Sequence, residues 1–296
     1  MKVISVIGAG TMGMGIAQVF AENEFTVNLV DVNLAQLDKA IKSIEKSLGR
    51  QIEKGKITSE EKKNSLGRLS LHTEIATGVI AADLVVEAAL EQTALKLQIF
   101  KQLDEAAPAK CILASNTSSI SITKIAAATK REQQVIGMHF MNPVPYNRLV
   151  EIIEGYATKK EVTECIVELT KRLKKTPCIV KDYPGFIANR ILMPMINEAI
   201  FSLHEGVAGV VEIDTIMKLG MAHPMGPLEL ADFIGLDVCH SILSVLYAEF
   251  GNFKYAPCPL LTNMVNAGYL GIKSSEGFYK YTAGSRELVL SDRFKK

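Results

Sequence analysis

The chain carries no excess of charge of either sign. Its 33 lysines and arginines stand against 32 aspartates and glutamates, a formal net charge of +1. That balance gives no electrostatic reason to expect a nucleic acid or a membrane surface as partner. Cysteine is scarce. The five residues (Cys111, Cys165, Cys178, Cys239, Cys258) contain no C-x-x-C spacing and are odd in number. This argues against a disulfide framework and a metal site, and they read as reduced, mostly buried thiols of an intracellular protein. Long apolar runs are also missing, because charges such as Asp83 and Glu87 interrupt the hydrophobic stretches before spanning length. The run after Lys2 stops at Gly8, Gly10 and Thr11, so it reads as a core strand rather than a signal peptide. No internal repeat or low-complexity segment occurs. What is present is 296 residues, 48% hydrophobic and 22% charged, enough for a large core and two domains. A cytoplasmic protein is expected.

The most informative segment is Gly8-Ala9-Gly10-Thr11-Met12-Gly13, placed between the strand-like Lys2–Ile7 and a helical pattern. Gly8 allows a tight turn, Gly10 lets the backbone approach a pyrophosphate, and Gly13 lets the helix pack close to the sheet. The helix start, with Thr11 and Met12, offers N–H groups and a partial positive charge to phosphates. A second strand, Thr26–Val30, ends on Asp31, about 20 residues on, where a carboxylate accepts ribose hydroxyls and repels a 2′-phosphate. No arginine follows in Val32-Asn33. The cofactor predicted is NAD, held by Gly8, Gly10, Thr11, Met12, Gly13 and Asp31.

Strands and helices alternate through the first part, predicting an α/β fold: a Rossmann-like, doubly wound parallel sheet. A charged stretch from about Leu34 to Leu66, interrupted near Gly55, predicts an inserted helical hairpin. Further strands are expected at 84–87, 112–115, 135–140, 149–153 and, last, 177–181. The pattern changes at Asp182-Tyr183-Pro184-Gly185, beyond which helical periodicity prevails without convincing strands. The domains expected are therefore 1–184 (cofactor), 185–284 (an all-α C-terminal domain) and a polar tail, 285–296.

In an open parallel sheet, ligands bind beyond the carboxyl ends of the strands. Polar residues there are the candidates. His139 ends an apolar strand, where it is either a satisfied core histidine or a general base. Glu151 interrupts the apolar run 149–153, either exposed on an edge strand or buried and paired to a histidine on a neighbouring strand. Ser115-Asn116-Thr117-Ser118-Ser119 either caps the next helix or holds a nicotinamide and a reacting oxygen. Asn189 lies just inside an apolar helix, where an ordinary first-turn polar residue is the plainer reading.

Together these segments resemble the (S)-3-hydroxyacyl-CoA dehydrogenase family, closest to its short-chain, single-function members, from Lys2 to about Tyr281. The carriers are G-A-G-T-M-G at 8–13, V-E-A-A-L-E at 86–91, S-N-T-S-S at 115–119, H-F-M-N-P at 139–143, L-V-E-I-I at 149–153, P-G-F-I-A-N-R at 184–190 and H-P-M-G-P at 223–227. The resemblance implies that His139 is the base and Glu151 its orienting partner, with Ser118 and Asn189 binding the substrate's 3-oxygen. It implies further cofactor contacts at Glu91, Lys96, Asn116 and Asn142. The substrate implied is a short acyl-CoA, 3-hydroxybutyryl-CoA foremost, and the assembly a homodimer through the helical domain. Cations on the hairpin, Lys54 and Lys56 among them, are placed for the CoA phosphates or are simply a solvated helix face. Met141 and Tyr146-Asn147-Arg148 depart from many relatives near the active-site loop. Two rivals remain: a free β-hydroxyacid dehydrogenase, and a non-catalytic NAD(H)-binding protein.

Overall fold

A computed structural model describes residues 1–282, 284–285 and 287–295. The chain divides into two compact units, the first Met1–Tyr183 and the second from Pro184 onward.

In the first unit, β1 (Val3–Ile7) leads into α1 (Thr11–Glu22), and β2 (Thr26–Val30) lies parallel to β1. The hairpin follows as α2 (Leu34–Glu53) and α3 (Ser59–Gly67). Leu37, Ala40, Ile44 and Leu48 form the buried stripe of α2, and the interruption falls at Gly55, whose φ is +65°. A capping box starts α3: Glu61 N donates to Thr58 Oγ1 (3.1 Å) and Thr58 N to Glu61 Oε2 (2.7 Å). Next come β3 (Leu69–His72), α4 (Ile75–Val79), β4 (Leu84–Glu87), α5 (Thr93–Ala106), β5 (Ile112–Ser115), α6 (Ile122–Ala126), β6 (Val135–Phe140), β7 (Leu149–Glu154), α7 (Lys160–Arg172) and β8 (Thr176–Lys181).

The eight strands form one sheet in the order β3-β2-β1-β4-β5-β6-β7-β8. The order reverses between β1 and β4, which opens a crevice at their carboxyl ends. Two features differ from expectation. β3 was not anticipated; it is four residues long, lies at the sheet edge and exposes Ser70 and Leu71. The sheet is also not wholly parallel, since β7 runs antiparallel to β6 while β8 runs parallel to β7. Residues 141–148 are too few to hold a crossover helix, so the chain turns back. The core lies around α1 and the central strands, where Phe20 meets Phe25 and Phe140 edge-on at 5.5 and 6.4 Å.

The second unit contains α8 (Ala188–His204), α9 (Val210–Thr215), α10 (Pro227–Ile234), α11 (Leu236–Phe250) and α12 (Pro259–Asn266). They enclose a core that includes Met193, Ile196, Leu228, Leu243, Leu246 and Phe278. It is not purely helical. β9 (Tyr279–Lys280) and β10 (Val289–Leu290) pair antiparallel. The expected polar tail is thus corrected, because residues 287–295 fold back onto this unit. Ser291 is fully buried, its N–H donating to Phe278 O (3.1 Å), and the Phe294 ring lies 5.7 Å from that of Phe278. Leu290 and Phe294, partly buried, pack against the core of this unit.

Among the described residues no single helix is long and apolar enough to cross a membrane. α10 and α11 pass that test only as a pair, bent by 96°.

Candidate active site

The glycine loop shapes the crevice of the sheet. Gly8 has φ +97°, and its N–H donates to Val30 O (2.7 Å). A Cβ on Gly13 would lie 1.8 Å from Gly8 O, so the helix packs closer to the strand than any side chain permits. At Gly10 a Cβ would meet no protein atom within 4 Å. Its bareness therefore serves whatever enters the crevice and not the packing of the protein. Gly10 caps α1 without a side-chain bond, and the first turn has no acid. Its N–H groups and dipole are therefore suited to a pyrophosphate.

A cavity of about 760 Å³ opens there, lined by Gly8, Gly10, Thr11, Met12, Asp31 and Glu91, with Leu90, Leu95 and Ile99 on an apolar wall. Asp31 Oδ2 accepts from Ala9 N (2.8 Å) and Oδ1 from Asn33 N (2.9 Å). Two backbone bonds fix the carboxylate and leave acceptor capacity for a ribose diol. The residues present fit a dinucleotide.

Lys96, Asn116 and Asn142 do not line this cavity. Lys96 is buried, and its ammonium donates to Glu87 Oε1 (2.6 Å) and Ala89 O (3.3 Å) and pairs with Glu91 Oε2 (3.3 Å). It therefore supports the loop that carries Glu91. Glu91 Oε1 gathers the 115–119 loop, accepting from Thr117 Oγ1 (2.6 Å), Ser118 N (2.9 Å) and Ser119 N (3.1 Å). Burial pushes the Glu91 carboxyl up, but Lys96 and these donors prevail and hold it below the usual range. The N-cap of α6 is Ser121, outside this loop, so the loop does not serve as a simple helix cap.

His139 and Glu151 are direct cross-strand neighbours in β6 and β7. Both are buried, and His139 Nδ1 lies 2.7 Å from Glu151 Oε2. The edge-glutamate reading gives way to a buried histidine–carboxylate pair on an inner strand of the sheet. The β6 direction puts His139 at a carboxyl end. The β7 reversal brings Glu151 alongside it from an amino-terminal end, a register the sequence does not reveal. Asn116 Oδ1 accepts from Phe140 N (2.9 Å), which ties the polar loop to the strand end beside His139. Asn142 is exposed and precedes a cis peptide to Pro143.

Beside the hairpin, a second cavity of about 430 Å³ is lined by Lys56, Arg68, Arg148, Lys174 and Lys175, facing Glu22 and Glu61. Lys56 also stands over the Tyr146 ring, 5.7 Å from its centroid. Lys54 does not line it.

In the second unit, Asn189 sits half-buried in the first turn of α8, its N–H donating to Gly185 O (3.1 Å). The H-P-M-G-P segment proves structural at one position. Asp214 caps α10 by accepting from Leu228 N and Glu229 N (both 2.9 Å), and a Cβ on Gly226 would come within 2.2 Å of that carboxylate. Sequence reasoning overlooked Asp214, and it gave no role to Glu87, a fully buried glutamate at the end of an apolar strand in the 86–91 segment. The signal that singled out Glu151 applied to Glu87 as well. No group of three or more potential metal ligands occurs among the described residues.

Comparison with known proteins agrees with this geometry. Residues 3–183 match the NAD-binding domain of 3-hydroxyacyl-CoA dehydrogenase, and residues 185–281 match its C-terminal domain. A probable 3-hydroxybutyryl-CoA dehydrogenase of Bacillus subtilis is 52% identical over 280 residues, 95% of this chain and 97% of the relative. The 3-hydroxybutyryl-CoA dehydrogenase of Bradyrhizobium diazoefficiens is 49% identical over 95% of each chain. The crystal structure of (S)-3-hydroxybutyryl-CoA dehydrogenase from Ralstonia eutropha superposes with a TM-score of 0.93 at 48% identity, covering 95% of this chain and 99% of that one. The glycine loop, the nucleotide cavity and the His139–Glu151 pair lie within the match to the NAD-binding domain, a second match covers the helical unit, and the chain belongs to the 3-hydroxyacyl-CoA dehydrogenase family, with NAD as its cofactor.

Proposed function

We propose that the chain catalyses the reversible oxidation of a short (S)-3-hydroxyacyl-CoA, 3-hydroxybutyryl-CoA foremost, to the 3-oxoacyl thioester. The observation that carries this reading is the buried His139–Glu151 pair, 2.7 Å apart at the end of β6. Bound NAD supplies the hydride acceptor for the substrate's C3. Glu151 accepts the Nδ1–H of His139, which fixes the tautomer and leaves Nε2 to take the proton of the 3-hydroxyl. The carboxylate then stabilises the imidazolium that results. In the reducing direction the same nitrogen returns the proton. Ser118 and Asn189 are assigned as donors to the 3-oxygen. Asp31 is assigned to the ribose diol, favouring NAD over NADP. Lys56, and Lys54 with it, is assigned to the CoA phosphates, the cation-lined cavity beside Lys56 supporting that choice.

A homodimer through the helical unit belongs to the same proposal. Leu219, Met221, Phe233 and Phe253 are each more than half exposed there, more apolar surface than a monomer usually leaves uncovered. A reducing cytoplasm suits five free cysteines.

The test is NADH consumption with acetoacetyl-CoA, run beside NADPH and beside free acetoacetate. Turnover only with the thioester and NADH is expected. Turnover with the free acid would replace the CoA reading with a β-hydroxyacid reading, and none with either would favour a binding protein.

A further inference from the structure

We infer that Glu87 is a positioning residue that locks the 88–91 turn and the 115–119 loop to each other. It would set the wall of the nucleotide cavity and the Ser118 hydroxyl in one geometry. Glu87 ends β4 with its side chain fully buried, in register with Ile7 of β1 and Ser115 of β5. Its Oε1 accepts from Ala89 N (2.7 Å) and Lys96 Nζ (2.6 Å), and its Oε2 accepts from Ser115 Oγ (2.6 Å). Ser115 Oγ has one proton. Having given it to Glu87, it accepts from Thr117 N (3.2 Å). Thr117 Oγ1 donates to Glu91 Oε1 (2.6 Å), and Glu91 Oε2 returns to Lys96 at 3.3 Å. The five residues form a closed circuit in which each hydroxyl's donor direction is determined.

The circuit joins two surfaces. Ala88, Ala89, Leu90 and Glu91 line the nucleotide cavity. On the opposite side, Glu91 Oε1 holds the N–H groups of Ser118 and Ser119. Two carboxylates share one ammonium, so the set keeps a net negative charge under both loops. Burying the Glu87–Lys96 pair is costly where well-packed apolar side chains would serve stability as well. Its location between two ligand-facing loops supplies the reason for keeping it: a displaced Glu87 moves both loops at once. This inference rests on the assignment of Ser118 to the substrate oxygen.

The test uses the full-length variants Glu87→Gln, Ser115→Ala and their combination, read by Kd for NADH, by kcat with acetoacetyl-CoA and by Tm. Glu87→Gln should raise Kd and lower kcat, each by about tenfold. Ser115→Ala, which keeps both charges, should lower kcat by about tenfold while Kd stays within about twofold. The combination should be no slower than Glu87→Gln alone, because both break one circuit. Losses in kcat that multiply, or a Ser115→Ala variant with unchanged kcat, would overturn the inference. A shared fall in Tm with kcat per folded molecule intact would leave Glu87 a structural ion-pair partner and overturn it too. Ser118→Ala, run alongside, separates the two ideas. If it keeps full kcat, the Ser118 assignment fails, while the effect of Glu87→Gln on Kd still decides whether Glu87 sets the cavity wall.

Discussion

Among the described residues four acidic side chains are buried, two in each unit, and they do different work. In the sheet unit, Glu87 faces the Lys96 ammonium and Glu151 faces His139. In the helical unit, the partners of Asp214 and Asp232 are neutral donors. Asp214 accepts from two N–H groups of α10 and from Tyr279 OH (2.8 Å), and Asp232 from Phe278 N (3.0 Å), Tyr279 N (2.9 Å) and Tyr281 OH (3.0 Å). Burial pushes Asp232 up to about 6 and Asp214 up as well, against the pull of these donors. Burial likewise raises both phenols, with Asp214 and Asp232 adding to it at Tyr279 and Asp232 at Tyr281. Burial alone therefore does not mark a functional acid. The sheet-unit acids face a lysine and a histidine at strand ends, whereas the helical-unit acids face only backbone and phenol donors, as a cap and a clamp do.

The comparison breaks first at Glu151. Glu151→Gln should cost about 10²-fold or more in kcat, because the amide no longer fixes the Nδ1–H tautomer or balances an imidazolium. NADH affinity should be unchanged in a fluorescence titration. Asp232→Ala should do the reverse, leaving kcat per folded molecule intact while losing about 1–3 kcal/mol of stability for each of three orphaned donors. Denaturant unfolding followed by circular dichroism measures it. Equal kinetic losses in the two variants would erase the distinction.

A pH series sharpens the same contrast. Asp232, raised to about 6, contributes stability that is complete below its ordinary value and lost as pH rises through about 6. The shift corresponds to about 3 kcal/mol across that window. Glu91, held below its ordinary range, acts oppositely, its contribution present at neutral pH and lost as pH falls through its folded value. Unfolding free energy measured across this window in wild type and Asp232→Asn should differ in slope, and parallel curves would remove Asp232 from the account. The smallest effect expected is on substrate affinity. Lys56→Ala should raise KM for acetoacetyl-CoA a few-fold and Lys54→Ala less, since Lys56 lines the cation-rich cavity and Lys54 does not. Equal KM values for both variants would detach that cavity from CoA binding.

Legibility in the sequence followed the range of the interactions. The β1–α1–β2 segment and Asp31 were readable because turn, helix start and acid lie within one short stretch. His139 and Glu151 were readable as partners because each interrupts an apolar strand. Their antiparallel pairing was not, since only the brevity of the 141–148 loop records it. Lys96 reads locally as an ordinary helix lysine; its burial depends on Glu87 and Glu91, which α5 does not contain. β3 is short and half-exposed, and β9 and β10 have two residues each, below the length at which alternation signals a strand. Asp214 and Asp232 find their partners between Leu228 and Tyr281, so no local pattern announces either.

The most direct measurement of the central claim is single-turnover reduction of acetoacetyl-CoA with saturating NADH, by wild type and by His139→Gln. Rapid NADH consumption by the wild type is expected, with a loss of about 10²–10⁴-fold in the variant and NADH still bound. Comparable rates in the two proteins would show that His139 moves no proton in the reaction, and would contradict the account.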